Sequence, residues 1–219
     1  MRNSIEHRID VRGGIQSRSN IILSAEMGGK IQKIHVKEGQ QVKKGQTLIV
    51  LNADVIRKNI AELKTSLDLA NTLFERQNKL WKQQIGTEVQ YLQAKNNKES
   101  LEGKLATVNA QLAMSIIKAP FSGAIDDLPM NEGELASPGM PLARMINPDD
   151  VYIISEVSEA YIGKINKGNE VIIDFIINDK KSSSIISSVS QVINPKNRTF
   201  TIEIEMPNVD FSAKPNQVV

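Results

Sequence analysis

The fold is decided by a stretch that occurs twice, first as Gly29-Lys-Ile-Gln-Lys-Ile-His-Val-Lys-Glu-Gly39 and then as Gly123-Ala-Ile-Asp-Asp-Leu-Pro-Met-Asn-Glu-Gly133. The copies share their glycines, the glutamate and the spacing of apolar residues, which indicates an internal duplication rather than two unrelated hairpins. The match continues without a gap at three further pairs, each 94 residues apart: Val42 with Ala136, Gly45 with Gly139, and Leu48 with Leu142.

Each copy is predicted to form short strands joined by tight turns. Ile31, Ile34 and Val36 supply the buried positions, with an irregularity expected at Gln32-Lys33. Glycine follows Glu38 and Lys44, where a turn needs positive φ. We therefore predict that the copies face each other as a small β-sandwich, with six glycines as structural turn residues: Gly29, Gly39, Gly45, Gly123, Gly133 and Gly139.

Between the copies the apolar period changes from two to about 3.5, which predicts two helices with heptad seams. The loop Gln83-Gln-Ile-Gly-Thr87 is so short that the helices must run antiparallel, with Gly86 as a helix stop and Thr87 as an N-cap. The first seam comprises Ile56, Ile60, Leu63, Leu67, Ala70, Phe74, Gln77 and Trp81, and the second Tyr91, Ala94, Lys98, Leu101, Leu105, Val108 and Leu112.

After Asn147-Pro148 the pattern becomes β-rich. Strands are predicted at Val171–Ile177 and Thr199–Met206, where apolar and polar residues alternate. A short helix is predicted from a Ser158 cap to Ile165. Together with a strand near residues 8–17, these elements predict a small β-barrel.

Composition excludes several classes of function. The 219-residue chain has a net charge of only +2, which gives no electrostatic case for nucleic acid, and it has no cysteine for disulfides or thiol chemistry. The only histidines are His7 and His35, and His35 lies in a predicted strand with no neighbour at ligand spacing. The seven methionines are too scattered to favour a Cu(I) site. No phosphate loop or nucleophile elbow occurs, so we predict no enzyme activity, cofactor or metal.

The duplicated motif resembles the two halves of a lipoyl or biotinyl carrier domain, with the joint replaced by a helical hairpin. A split lipoyl domain followed by a β-barrel is similar to the membrane fusion protein family, the periplasmic adaptors of tripartite efflux pumps. Ile117-Lys-Ala-Pro-Phe-Ser-Gly123 is similar to the family's entry to the second lipoyl half. Met206-Pro-Asn208 with Lys214-Pro215 resembles its closing barrel segment.

The hairpin tip resembles adaptors of resistance–nodulation–division pumps, which carry Arg-Leu-x-x-Leu followed by Ser and Ala at intervals of seven. Arg76, Leu80, Thr87 and Ala94 stand at that spacing, while Gln77 replaces the first Leu and Thr87 the Ser. The resemblance implies that these four residues bind an outer-membrane channel. A solvated arginine and seam packing of Leu80 and Ala94 are the simpler alternatives.

The resemblance implies a mixed β fold with a coiled coil. A lipoyl-like domain is expected at 21–52 with 116–147, a hairpin at 53–115 and a β-barrel at 8–17 with 151–219. The chain lacks the apolar core of a signal peptide, and Val218-Val219 looks like the start of a strand, so we expect a portion of a longer protein. The membrane-proximal domain would be largely absent, and the signal or anchor would lie outside this chain.

The resemblance also implies partners and a location. A homo-oligomeric ring in the periplasm, attached to the inner membrane in the full-length protein, would join an inner-membrane efflux transporter to an outer-membrane channel. Two alternatives stay open. One is an adaptor of an ATP-driven exporter or type I secretion system, which has the same fold. The other is an enzyme's lipoyl carrier, which would need an exposed lysine where Asn52-Ala-Asp54 leads into a helix.

Overall fold

A computed structural model describes residues 9–176, 180–207, 215 and 217–219. The chain divides into two compact units. One comprises Ile22–Met145, and the other combines the residues up to Ile21 with those from Ile146 onward. Each unit is described by itself.

The unit Ile22–Met145 contains the split sandwich, whose two four-stranded sheets have the orders β2-β9-β7-β4 and β6-β5-β3-β8. Each sheet takes two strands from each copy, and a shift of 94 residues converts one order into the other. The predicted duplication thus gives the sandwich a pseudo-twofold axis that relates its two sheets. The strands are β2 Asn20–Ser24, β3 Gly29–Ile34, β4 Gln41–Val42, β5 Thr47–Leu51, β6 Ile116–Lys118, β7 Gly123–Asp127, β8 Leu135–Ala136 and β9 Pro141–Ile146.

The pseudo-symmetry extends to individual hydrogen bonds. Gly39 N donates to Ile125 O at 2.8 Å, and the equivalent Gly133 N donates to Ile31 O at 2.9 Å. Apolar side chains of both copies fill the core, where Leu48 and its equivalent Leu142 are each 0% exposed. The two halves therefore stabilise each other across the sandwich.

The repeated glutamate has a reciprocal role that the sequence analysis missed. Glu38 Oε1 accepts from Leu128 N at 3.2 Å, and Glu132 Oε1 accepts from Ile34 N at 2.8 Å. Each carboxylate thus satisfies a backbone donor of the other copy. The irregularity predicted at Gln32-Lys33 is confirmed, because the pairing of β3 with β5 shifts register between Ile31 and Lys33.

Four of the six predicted turn glycines have positive φ: Gly39 at 76°, Gly45 at 82°, Gly133 at 93° and Gly139 at 83°. The prediction was wrong for Gly29 and Gly123, which begin β3 and β7 and are not among the positive-φ residues. Gly29 passes close to the end of β5, where an added Cβ would lie 3.4 Å from Asn52 O. That distance is an ordinary van der Waals contact, so nothing in the structure explains why position 29 carries glycine.

Both predicted helices are present, as α1 Asp54–Lys82 and α2 Glu88–Met114. Every predicted seam residue is buried or half-buried except Trp81, which is 39% exposed. Asn52 accepts from Asp54 N at 3.1 Å where the chain passes from β5 into α1. The joint between the lipoyl halves is therefore the start of a helix, as predicted, and not a turn carrying a lysine.

The second unit is a five-stranded antiparallel sheet in the order β1-β10-β13-β12-β11. Buried residues from all five strands form one cluster, so the sheet must curl around its core as a half-barrel. Residues 217–219 pair with β1, in agreement with the strand predicted there. The strands are β1 Gly13–Ser17, β10 Val151–Ser158, β11 Glu170–Phe175, β12 Lys180–Asn194 and β13 Thr199–Glu205.

Two details of this unit differ from expectation. The predicted helix is only a 3₁₀ turn, Glu159–Tyr161, and the Ser158 side chain makes no capping hydrogen bond. The 15-residue strand β12 was not predicted, because register shifts after Ile186 and after Val189 break its alternation. Arg8, Ile177, Asn208 and Lys214, which belong to predicted strands or motifs, lie outside the described residues.

Candidate functional site

The hairpin tip is built on an aromatic cluster that fixes the ends of the two helices. Tyr91 at the start of α2 stacks on Trp81, with ring centroids 6.0 Å apart, and contacts Phe74 at 5.9 Å. Lys98 Nζ lies 5.2 Å from the centroid of the Phe74 ring, so this seam lysine also stabilises the cluster. These contacts hold the last two turns of α1 against α2.

The turn that ends α1 is a Schellman motif. Ile85 N donates to Leu80 O and Gln84 N donates to Trp81 O, both at 2.9 Å. The sequence analysis assigned the stop to Gly86, but α1 ends at Lys82, and Gln84 already adopts the left-handed conformation at φ 60°. Gly86 supplies a second positive φ of 93° that leads into α2. A glutamine occupies the position that usually carries glycine.

Thr87 begins α2 through a complete capping box. Its Oγ1 accepts from Gln90 N at 3.3 Å, and Gln90 Oε1 accepts from Thr87 N at 3.2 Å. The predicted N-cap is therefore confirmed. Because the hydroxyl oxygen already accepts a backbone hydrogen bond, Thr87 has its O–H proton left to offer a partner.

The four predicted tip residues differ in their exposure and contacts. Arg76 is exposed and forms no ion pair or hydrogen bond within the described ranges. Leu80, one turn further along α1, is 38% exposed. Ala94 lies half-buried in the seam, so its packing role is met within the hairpin.

Arg76 and Leu80 belong to a longer exposed stripe that the sequence analysis missed. Leu69 is 61% exposed and Leu73 is 45% exposed, and with the tip pair they follow the spacing 4-3-4. Each residue of the stripe precedes a seam residue by one position. The stripe therefore has the same heptad spacing as the seam and lies beside it on α1. That second period was visible in the sequence. Three further apolar side chains are exposed in the turn and at the start of α2: Ile85, Val89 and Leu92.

Charged side chains of α2 form ion pairs along that helix. Lys95 Nζ lies 3.8 Å from Glu99 Oε1, and Lys98 Nζ lies 3.4 Å from Glu102 Oε1, each pair one turn apart on α2. Exposed pairs of this kind contribute only about 0.3–0.5 kcal/mol each. The leucine stripe of α1, by contrast, contains no charged residue apart from Arg76.

Two other features are absent from the described part of the chain. No group of three or more His, Asp or Glu side chains there is arranged to hold a metal ion. Among the same residues, no helix is both long enough and apolar enough to cross a membrane. The exposed leucines around Arg76 make the tip the strongest candidate site, with the chemistry of a protein-binding surface.

The chain is similar to several known proteins. Residues 56–114 match the family model described as the CzcB-like, alpha-helical hairpin domain. The chain is 26% identical over 210 residues to the cobalt-zinc-cadmium resistance protein CzcB of Cupriavidus metallidurans, covering 88% of this chain and 40% of that protein. It is 24% identical over 198 residues to the pyoverdine export membrane fusion protein PvdR of Pseudomonas aeruginosa, covering 76% and 51%.

A similar fold occurs in the crystal structure of a MacA–MexA chimera that contains the Pseudomonas aeruginosa MexA α-hairpin domain. The TM-score is 0.84 at 22% identity, covering 95% of this chain and 77% of that one. The resemblance to membrane fusion proteins of efflux pumps is thus confirmed, together with the predicted fold class. The chain spans about half or less of the length of these curated relatives.

Proposed function

We propose that this chain is the part of a periplasmic adaptor that connects an inner-membrane efflux transporter to an outer-membrane channel. The observation that carries the proposal is the hairpin tip, where Arg76 and three leucines are exposed on one side of α1. Apolar side chains around an arginine are typical of protein-binding hot spots. The relatives support it, because they include a membrane fusion protein and a metal resistance protein.

The tip would bind the channel. Arg76 can donate to backbone carbonyls of a partner, and Leu80 can fill a small apolar depression beside it. Leu73 and Leu69 would extend the contact along α1. Thr87 would contribute its free O–H proton at the turn, and Ala94 would keep the helices close. Several copies would form a ring around the path of the cargo, with the half-barrel facing the transporter.

The role is mechanical rather than enzymatic. The tip spacing Arg76-Leu80-Thr87-Ala94 favours a proton-driven transporter of the resistance–nodulation–division class over an ATP-driven one. Among cargoes, metal cations are favoured over drugs, because both the hairpin model and one relative are named for CzcB. The protein would act in the periplasm, held at the inner membrane.

The test is a cell that carries this protein with its transporter and channel. Deleting the protein should raise sensitivity to zinc, cobalt and cadmium, and Arg76→Asp should do the same while the protein remains folded and present. Normal resistance in the deletion strain, together with unchanged drug export, would contradict the proposal. Sensitivity to drugs alone would keep the adaptor and reject the metal cargo.

A further inference from the structure

The duplicated sandwich has two equivalent edges with opposite charge. β4 is one of the two edge strands of its sheet, β8 is the equivalent edge strand of the other sheet, and each lies between two β-turns. We call residues 37–46 the β4 edge and residues 131–140 the β8 edge. In each edge the fourth residue of both turns donates its N–H to the first, as Gln40 does to Lys37 O at 3.1 Å and Met140 to Ser137 O at 3.0 Å.

The β4 edge carries three lysines and one glutamate, a net charge of +2, whereas the β8 edge carries two glutamates and no basic residue, a net charge of −2. All these side chains are exposed. None forms an ion pair in the portion of the chain that the structure describes. The charged residues are Lys37, Glu38, Lys43 and Lys44 in the β4 edge, and Glu132 and Glu134 in the β8 edge.

The fold does not require this difference. Gln40 Oε1 accepts from Lys37 N at 3.0 Å, and Glu134 Oε2 accepts from Asn131 N at 3.1 Å, so either sequence closes the same turn. Hydrogen bonds from the side chain and backbone of Asn131 hold the pKa of Glu134 below its usual value. The carboxylate is therefore charged at neutral pH. The opposite charges of the edges need an explanation outside the folding of the sandwich.

We propose that the β4 edge of one copy docks against the β8 edge of a second copy of this chain. Edges of the same charge repel each other and edges of opposite charge attract. Charge therefore favours this pairing over a contact between two β4 edges or between two β8 edges. Exposed Leu135 and Met140 add apolar area to the β8 edge. The proposal rests on the proposed function, since it supplies the contact between neighbours of the ring.

The pseudo-twofold relation gives this contact a direction. The axis carries one edge onto the other, so the two edges lie on opposite sides of it. A contact between two different surfaces is heterologous, and a bound pair leaves one free edge of each kind, one on each copy, for its next neighbours. Such contacts build a ring when the rotation closes, whereas a contact between identical edges would stop at a dimer.

A charge swap between the edges tests the proposal. Lys43→Glu with Lys44→Glu makes both edges acidic. Glu134→Gln, Ser137→Lys and Pro138→Lys together make both edges basic, and each copies the residue found at the equivalent position of the β4 edge. Lys167→Glu with Lys196→Glu in the other unit is the control, because it changes the net charge as much as the acidic variant does.

Sedimentation velocity of the 219-residue chain at about 50 mM salt is the measurement, repeated near 500 mM, where exposed charges are screened. The unmodified chain and the control should self-associate at low salt and dissociate at high salt. Each swapped variant alone should associate on the order of tenfold more weakly or not at all. An equimolar mixture of the two should associate again, because acidic edges then meet basic ones.

Three outcomes would overturn the proposal: an unmodified chain that stays monomeric at low salt, an acidic variant that associates like the control, or a mixture that fails to recover. A failure of this contact can be told apart from a failure of the proposed function, because the latter is tested at the tip. Loss of resistance on Arg76→Asp without charge-dependent association would keep the adaptor and reject this contact. Charge-dependent association together with normal resistance in the Arg76→Asp strain would keep this contact and reject the adaptor.

Discussion

The sandwich and the hairpin use their apolar residues in opposite ways. In the sandwich, equivalent residues of the two copies face a shared core, and Leu48 and Leu142 are each 0% exposed. In the hairpin only Ile60 and Ala70 of α1 are fully buried, and α2 buries no residue completely. The difference teaches that stability is concentrated in the sandwich, while much of the hairpin's apolar surface remains available for contact.

The largest stability effect is expected in the sandwich core. Leu48→Ala and Leu142→Ala should each lower the free energy of unfolding by about 2–5 kcal/mol, because each leaves a cavity in a fully buried site. The matched hairpin change, Leu63→Ala at a half-buried seam position, should cost less than either. Urea denaturation followed by circular dichroism checks all three. Equal losses in sandwich and hairpin would contradict the comparison.

Substitutions of the turn glycines should have the next largest effect on stability. Gly39→Val and its equivalent Gly133→Val force a β-branched residue into positive φ, at a cost on the order of 1–3 kcal/mol each. Gly103, inside α2 with open space around it, is the matched control. Gly103→Ala should instead stabilise by about 0.5–1 kcal/mol. A Gly39→Val protein with an unchanged melting temperature would show that the turn assignment is wrong.

Substitutions in the turn of the tip should change the stability by less, and the two proposed here should do so in opposite directions. Gln84→Gly should stabilise the hairpin by up to about 1 kcal/mol, because glycine adopts the left-handed conformation without steric strain. Gly86→Ala should destabilise it, since alanine would have to adopt φ 93°. Thermal unfolding of the pair gives the signs. Shifts of the same sign in both variants would contradict the Schellman geometry.

The exposed stripe should contribute least to stability. Leu69→Ser and Leu73→Ser should each change the free energy of unfolding by no more than about 0.5 kcal/mol, because both side chains already face solvent. If the stripe binds a partner, the same changes should weaken export. A stability loss as large as that of Leu63→Ala would place the stripe inside a packed interface of the hairpin itself.

Much of the architecture could be predicted from the sequence, because its signals are periodic. Glycines at fixed spacing predicted the duplicated sandwich, and the heptads predicted both helices and the loop between them. The helix predicted after Ser158 was wrong, because a favourable capping residue does not ensure a helix. Only a three-residue 3₁₀ turn follows it. β12 was missed because bulges change which face each residue takes, and no alternation survives them.

The candidate site was predictable only in part. Packing between the helices was as good an explanation for Leu80 and Ala94 as a binding surface, and only the structure shows that Leu80 is exposed while Ala94 is half-buried. Leu69 and Leu73 were overlooked because they lie one position before the seam, where leucine is unexpected on a solvated face. The reciprocal bonds of Glu38 and Glu132 depend on the distance between the copies, which no local pattern encodes.

The most direct test of the central claim, that the tip binds a partner while the sandwich and seam hold the fold, is Arg76→Asp compared with Lys64→Asp. Both are exposed lysine or arginine positions on α1, and both substitutions change the charge equally. We expect near-identical circular dichroism, stability within about 0.5 kcal/mol of the unmodified protein, and loss of export only for Arg76→Asp. A folded Arg76→Asp protein with normal export would contradict the account.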